Sequence, residues 1–137
     1  MIVDGKPLTL GDILLEKLVP EGTYLGRLKR IKKMDPDKEF NDEGERNWPY
    51  LHIVWVIRED GEHLGETVTQ MMPLQPGQMF GLRNLCTIAG YDLAVRADEE
   101  FMEQELVDTE ALLVVSQVPR KDGAGNRNQI NKLLPTV

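Results

Sequence analysis

The sequence predicts a small, mainly β protein in which five strands close into a barrel and one helix connects the third and fourth strands. Three observations support this prediction. Short segments rich in Val, Ile, Leu and Tyr are separated by turn signals such as Asp60-Gly61. One longer stretch has apolar residues at helical spacing and stops at Gly90. The length, 137 residues, is that of a single domain.

Residues 1–22 are expected to form an N-terminal extension ahead of the barrel domain, which spans residues 23–137. In the extension, Thr9 and Asp12 resemble a capping box, and several leucines and an isoleucine follow at near-helical spacing. This pattern predicts a short helix over about residues 10–18. Its apolar side is expected to cover an open end of the barrel.

The first strand is predicted to span Thr23 to Met34 and to carry a run of basic side chains. These are Arg27, Lys29, Arg30, Lys32 and Lys33. Gly26 inside the strand predicts a bulge or a sharp bend. Because side chains alternate along a strand, Lys29 and Arg30 are expected on opposite faces, so only part of the basic run can line one groove.

Residues 35–47 form a polar, acidic loop that is expected to be a solvated and mobile hairpin. The second strand, residues 50–58, gives the strongest strand signal in the chain. Alternate residues of this strand form a fully apolar face, which should lie in the core. They are Leu51, Ile53, Trp55 and Ile57. The turn signal that follows predicts a third strand over about residues 64–72.

The second half of the chain contains the predicted helix and the last two strands. Residues 78–89 have the best helical spacing in the sequence. Residues 91–110 form an acidic connection, with a short helix expected near residues 98–105. Strands are predicted over residues 111–118 and 127–134, joined by a flexible, basic loop. Three strands, a helix and two strands is the order of the OB-fold, a five-stranded and partly open barrel.

Short motifs spread over the chain carry a resemblance to a known family. They are Val19-Pro20-Glu21-Gly22-Thr23-Tyr24, Pro49-Tyr50-Leu51, Leu82-Arg83-Asn84-Leu85 with Ala89-Gly90, and Asp122-Gly123 with Arg127-Asn128-Gln129-Ile130. With this layout over about residues 19–135, the sequence resembles small single-stranded DNA-binding proteins encoded by bacteriophages. The resemblance implies a role in DNA replication or recombination in the host-cell cytoplasm. It also implies phage or host replication proteins as further partners.

Sequence-tolerant binding of a single strand needs cations for the phosphates and aromatic faces for the bases. Basic side chains of the first strand and the last loop supply the cations, and the second strand and its surroundings supply the rings. The candidate nucleic-acid-binding residues are Tyr24, Arg27, Lys29, Arg30, Lys32, Lys33, Trp48, Tyr50, His52, Arg58, Arg120, Lys121 and Arg127. The prediction is therefore non-catalytic binding of single-stranded DNA with little sequence preference.

A formal net charge of −7 supports a second hypothesis, an acidic protein-interaction module that binds a host or phage protein and no nucleic acid. The charge is segregated along the chain, and salt screens charges over about 8 Å, so distant acids do not cancel a local basic strip. Oligonucleotide binding that weakens with salt separates the two hypotheses. An enzyme is not expected, because the acidic residues lie mainly in loops.

Several other classes of site are not expected from the residue types present. The single cysteine, Cys86, cannot form an internal disulfide and fits a reducing cytosol. Because His52 and His63 are far from it in the sequence, no zinc-ligand spacing exists, and neither a metal nor a cofactor is expected. No apolar run approaches the roughly 20 residues of a membrane helix, so no membrane partner is expected. The sequence leaves the oligomeric state open.

Overall fold

The computed structural model describes residues 1–10, 18–123 and 125–136. A two-stranded hairpin comes first, formed by β1 (Ile2–Val3) and β2 (Lys6–Pro7). The short helix predicted over residues 10–18 falls mainly outside the described residues. A five-stranded sheet follows in the chain. Its strands are β3 (Gly22–Met34), β4 (Tyr50–Ile57), β5 (Thr67–Pro73), β6 (Glu110–Pro119) and β7 (Asn126–Leu134).

The five strands lie in the order β5-β4-β3-β6-β7, and every neighbouring pair is antiparallel. The prediction of a mainly β protein with five main strands is confirmed. The predicted closure into a barrel is wrong, because β5 and β7 do not pair within the described part of the chain. Side chains of both strands line a cleft between these two edges of the sheet.

The long strand β3 is the centre of the sheet and pairs on both sides. Its first part, Gly22–Arg27, pairs with β6, and its second part, Gly26–Met34, pairs with β4. The bulge lies between Leu28 and Arg30, at Lys29, and not at Gly26 as predicted. Gly26 instead allows Leu113 to pack closely against β3, because a Cβ at this position would lie only 2.5 Å from Cδ1 of Leu113.

The core lies on one face of the sheet and consists of apolar side chains from all five strands and the helix. The predicted apolar face of the second strand is confirmed, since its four residues are buried. Trp55 is fully buried and its Nε1 donates a hydrogen bond of 3.0 Å to Oε1 of Gln70, so the indole nitrogen is satisfied. Burying each leucine or isoleucine side chain of this face stabilises the fold by roughly 1.5–3 kcal/mol.

Helix α1 spans Phe80–Ile88, so it begins two residues later and ends one residue earlier than the predicted 78–89. Because the N-terminal hairpin precedes the sheet, α1 connects the fifth and sixth strands of the chain instead of the third and fourth. Its inner side chains Leu82, Leu85 and Cys86 are buried. Gly90 ends the helix at a φ of 93°, where the next N–H, of Tyr91, bonds the carbonyl of Cys86 at 3.0 Å.

The connection between α1 and β6 contains a 3₁₀ turn at Glu103–Leu106, later and shorter than the helix predicted over residues 98–105. Gln104 Nε2 donates to the carbonyl of Ile31 at 2.9 Å, and the backbone of Leu28 bonds both Asp108 and Thr109 at 2.8 Å. These bonds cover the edge of β3 that faces away from β4. No helix in the described ranges is long and apolar enough to cross a membrane.

Candidate nucleic-acid interface

The bulge at Lys29 places basic side chains of β3 on one face of the sheet. We call this the outer face, the side of β3, β4 and β5 opposite the core. In a regular strand, side chains three residues apart point to opposite faces of the sheet, so Arg27 and Arg30 would lie on different faces. The one-residue register shift instead pairs Arg27 with Val56 and Arg30 with Val54, both on the outer face. Lys29 and Arg30 were expected on opposite faces because side chains alternate along a regular strand. The bulge interrupts that alternation at Lys29, and both residues are exposed.

Rings and an apolar side chain stand beside these cations on the outer face. Lys32 lies opposite His52, which in turn lies opposite Met71 on β5. In the next row, Tyr50 lies between Met34 and Pro73. Tyr50 and His52 are half-buried, so part of each ring is accessible. The outer face therefore combines charge with ring surface, as stacking and phosphate binding require.

Tyr24 lies on the other side of the sheet from the candidate rings Tyr50 and His52. It pairs with the buried Leu113 and packs against the core. Its hydroxyl donates to the carbonyl of Pro20 at 2.6 Å, and its ring meets that of His63 edge to face at 6.0 Å. Burial, and then the nearby carboxylate of Glu59, raise the pKa of Tyr24. These contacts assign Tyr24 a structural role.

Trp48 is half-buried and already has a cationic partner. The guanidinium of Arg46 lies 4.0 Å from the centre of its ring. Arg46 is positioned by a small hairpin in the loop between β3 and β4. There its backbone forms an isolated antiparallel β-bridge with Phe40, and the N–H of Asn41 donates to the carbonyl of Glu45 at 2.8 Å. A base that stacks on Trp48 therefore needs the opposite ring face or must displace Arg46.

Ion pairs divide the candidate cations into two groups. Three of them have carboxylate partners: Arg27 with Asp108 at 3.7 Å, Lys33 with Asp35 at 3.3 Å and Arg120 with Asp122 at 3.6 Å. Within the described ranges, the exposed side chains of Lys29, Arg30 and Lys32 make no ion pair with the protein. Arg58 is exposed directly after β4. The unpaired cations are the ones best able to bind phosphate.

A cleft of about 790 Å³ separates β5 from β7 and adjoins the outer face. His52, Thr69 and Met71 line it from β4 and β5. Arg120, Lys121 and Arg127 line it from β7 and the turn that precedes β7. The fold thus brings His52 together with three candidate residues that follow it by about seventy positions. The cleft and the outer face form one candidate surface.

Sequence reasoning missed Met71, whose side chain is 61% exposed at the cleft. Met71 and Met72 are adjacent in an apolar pair, and only the pairing of β5 with β4 shows that Met72 is buried and Met71 is not. The buried face of β4 was predicted correctly. If the register between β4 and β5 had also been known, side-chain alternation would have placed Met71 on the exposed face.

Other reactive groups lie away from this surface. Cys86 is buried, and burial raises the pKa of its thiol, which favours the protonated and less reactive form. Among the described residues, no three His, Cys, Asp or Glu side chains come together in a way that could hold a metal ion. The sequence matches no family model, and no curated protein matches it either.

Proposed function

We propose that this protein binds single-stranded DNA without catalysing a reaction, through the outer face and the adjoining cleft of an OB-type sheet. The observation that carries the proposal is the bulge at Lys29. It places the unpaired cations Arg30 and Lys32 on the same face as Tyr50 and His52. The resemblance to phage-encoded proteins extends the proposal to DNA replication or recombination in the cytoplasm of a host cell, with replication proteins as further partners.

The chemistry of the surface favours single strands over duplex. Stacking on Tyr50, His52 or Trp48 needs an exposed base face, which a duplex does not offer. Contacts from Arg30 and Lys32 to phosphates carry no sequence information, so little sequence preference is expected. The net charge of −7 does not prevent such contacts, because salt screens the distant acids over about 8 Å.

The test is a titration followed by fluorescence anisotropy. A labelled oligothymidine of about thirty nucleotides, long enough for at least one OB-type site, is compared with a duplex of equal length at low salt. We expect the single strand to bind more tightly and both affinities to fall as salt is added. Equal affinity for the duplex would contradict the stacking role of the rings. No binding of either oligonucleotide would reject the proposal.

A second candidate function, binding of a protein partner, is favoured by the acidic connection after α1. Val95 and Met102 are 80% and 51% exposed in this connection, among Asp92, Asp98 and Glu100. Exposed apolar side chains within an acidic segment suit a partner with basic and apolar residues. This function predicts no salt-dependent oligonucleotide binding, so the same titration distinguishes it from the first.

A further inference from the structure

We infer that the cleft between β5 and β7 binds a single strand with its phosphates toward β7 and its bases toward β4 and β5. Met71 is an apolar contact for a base. This inference rests on the proposed function and assigns its two chemical tasks to opposite walls. The turn before β7 would hold phosphates. The wall formed by β4 and β5 would hold bases.

The two walls differ sharply in charge. Among the described residues that line the cleft, the charged ones come from β7 and the turn before it: Arg120, Lys121, Asp122 and Arg127. Asp122 pairs with Arg120 at 3.6 Å, and Lys121 and Arg127 are exposed. The residues that β4 and β5 contribute include no Lys, Arg, Asp or Glu. A single-stranded nucleic acid has the same asymmetry, with charged phosphates on one side and uncharged bases on the other.

Met71 provides the largest apolar surface of the uncharged wall. It lies across from His52, and His52 lies across from Lys32, so thioether, imidazole and ammonium form one row over three strands. Side chains directly opposite each other on neighbouring strands stand about 5 Å apart. A flexible, polarisable thioether contacts aromatic rings favourably and adapts to rings of different shape. These properties suit a base contact that tolerates any sequence.

Contacts to bases and contacts to phosphates should respond differently to substitution. Met71→Ala should weaken binding of an oligothymidine about two- to twelvefold, which is the range of a sulfur–ring contact. It should leave binding of an abasic oligonucleotide of the same length unchanged, because that strand has no base to lose. Lys121→Ala and Arg127→Ala should weaken both oligonucleotides equally, and each should reduce the salt slope by about 0.7.

Leu64→Ala is the matched control, since Leu64 is 49% exposed on the same hairpin and does not line the cleft. Thermal unfolding of each variant checks that the fold is retained. The expected result is a loss that requires both Met71 and the bases. If Met71→Ala has no effect, or weakens the abasic strand equally, the inference is rejected while the proposed function stands. If the unaltered protein binds neither oligonucleotide, both are rejected.

Discussion

At Gly26 the side chain of Leu113 occupies the space that a Cβ would need. The ideal Cβ would lie 2.5 Å from Cδ1 and 2.8 Å from Cγ of Leu113, which is fully buried. Gly26 also pairs with both Ile57 and Ala111, so neither neighbouring strand can move away easily. The absence of a side chain is therefore a packing requirement at the crossing point of three strands.

Gly26→Ala should lower the free energy of unfolding by about 1–3 kcal/mol, because it overpacks a closed core. Gly81→Ala is the control, since Gly81 lies in α1 with nothing within 4 Å of its added Cβ. That control should raise the free energy of unfolding by roughly 0.5–1 kcal/mol through helix propensity. Urea unfolding measures both. Equal effects of the two substitutions would contradict the packing role of Gly26.

Glu105 is held by two neighbours in the acidic connection. The Tyr91 hydroxyl donates to it at 2.6 Å and Nη2 of Arg96 at 3.3 Å. The hydrogen bond from Tyr91, and then that from Arg96, lower the pKa of Glu105. A lowered carboxyl pKa stabilises the folded state above the usual glutamate value of about 4.3, and this contribution is lost as the pH falls through the folded-state value.

Glu105→Gln should therefore lower the unfolding temperature at neutral pH, and the difference from the unaltered protein should shrink as the pH falls below about 4. Circular dichroism melts over a pH series measure this. Glu103→Gln is the control, because the Glu103 side chain has no hydrogen-bond partner in the described part of the chain. A difference at Glu105 that stays constant over the series would exclude the ionised hydrogen bonds as its cause.

At the scale of the element, the sequence predicted the strands better than their relative register. The alternating apolar residues of the second strand identified its buried face, because burial on one face imposes a period of two. The position of the bulge depends on how β3 meets both partners, which no local pattern encodes. For the same reason the shared face of Arg27 and Arg30, the exposure of Met71 and the open edges of the sheet could not be read from the sequence.

Because of the bulge, deleting different residues of β3 should affect the facing of its side chains differently. Lys29 is the extra residue, so its deletion leaves Leu28 and Ile31 facing the core and Arg30 facing outward. Deletion of Ile31 instead moves Lys32 to the inward position opposite Ile53. The first change removes a bend, whereas the second also replaces a buried apolar side chain with a charged one.

Deletion of Lys29 should therefore leave a folded protein, with a smaller loss of unfolding free energy than deletion of Ile31. The deletion of Ile31 should cost at least the roughly 2–5 kcal/mol of a large-to-small core substitution. Urea unfolding compares the two proteins, followed by intrinsic tryptophan fluorescence from the buried Trp55 and the half-buried Trp48. If deletion of Lys29 lowers the free energy of unfolding more than deletion of Ile31, the bend at the bulge contributes more to stability than the facing of the side chains.

At the scale of the whole molecule, the location of each acid matters more than the total of 23 acidic against 16 basic residues. Asp108 and Asp35 already pair with Arg27 and Lys33 at the two ends of the basic run. Arg30 and Lys32 lie between these pairs and have no such partner among the described residues. A phosphate at the centre of the run does not have to displace a carboxylate, whereas a phosphate at either end does.

The salt dependence of binding tests this distribution of charge. If about three to five cations contact phosphates, the logarithm of affinity should fall with the logarithm of salt with a slope of roughly −2 to −3.5. Arg30→Ala with Lys32→Ala should make this slope shallower by about 1.4, since each single-strand contact contributes about 0.7. The matched double variant, Arg27→Ala with Lys33→Ala, removes the same charge and should change the slope less, because both cations are already paired. An unchanged slope in the first variant would move the phosphate contacts from β3 to Lys121 and Arg127. Equal slopes in both variants would show that the ion pairs do not restrain Arg27 and Lys33.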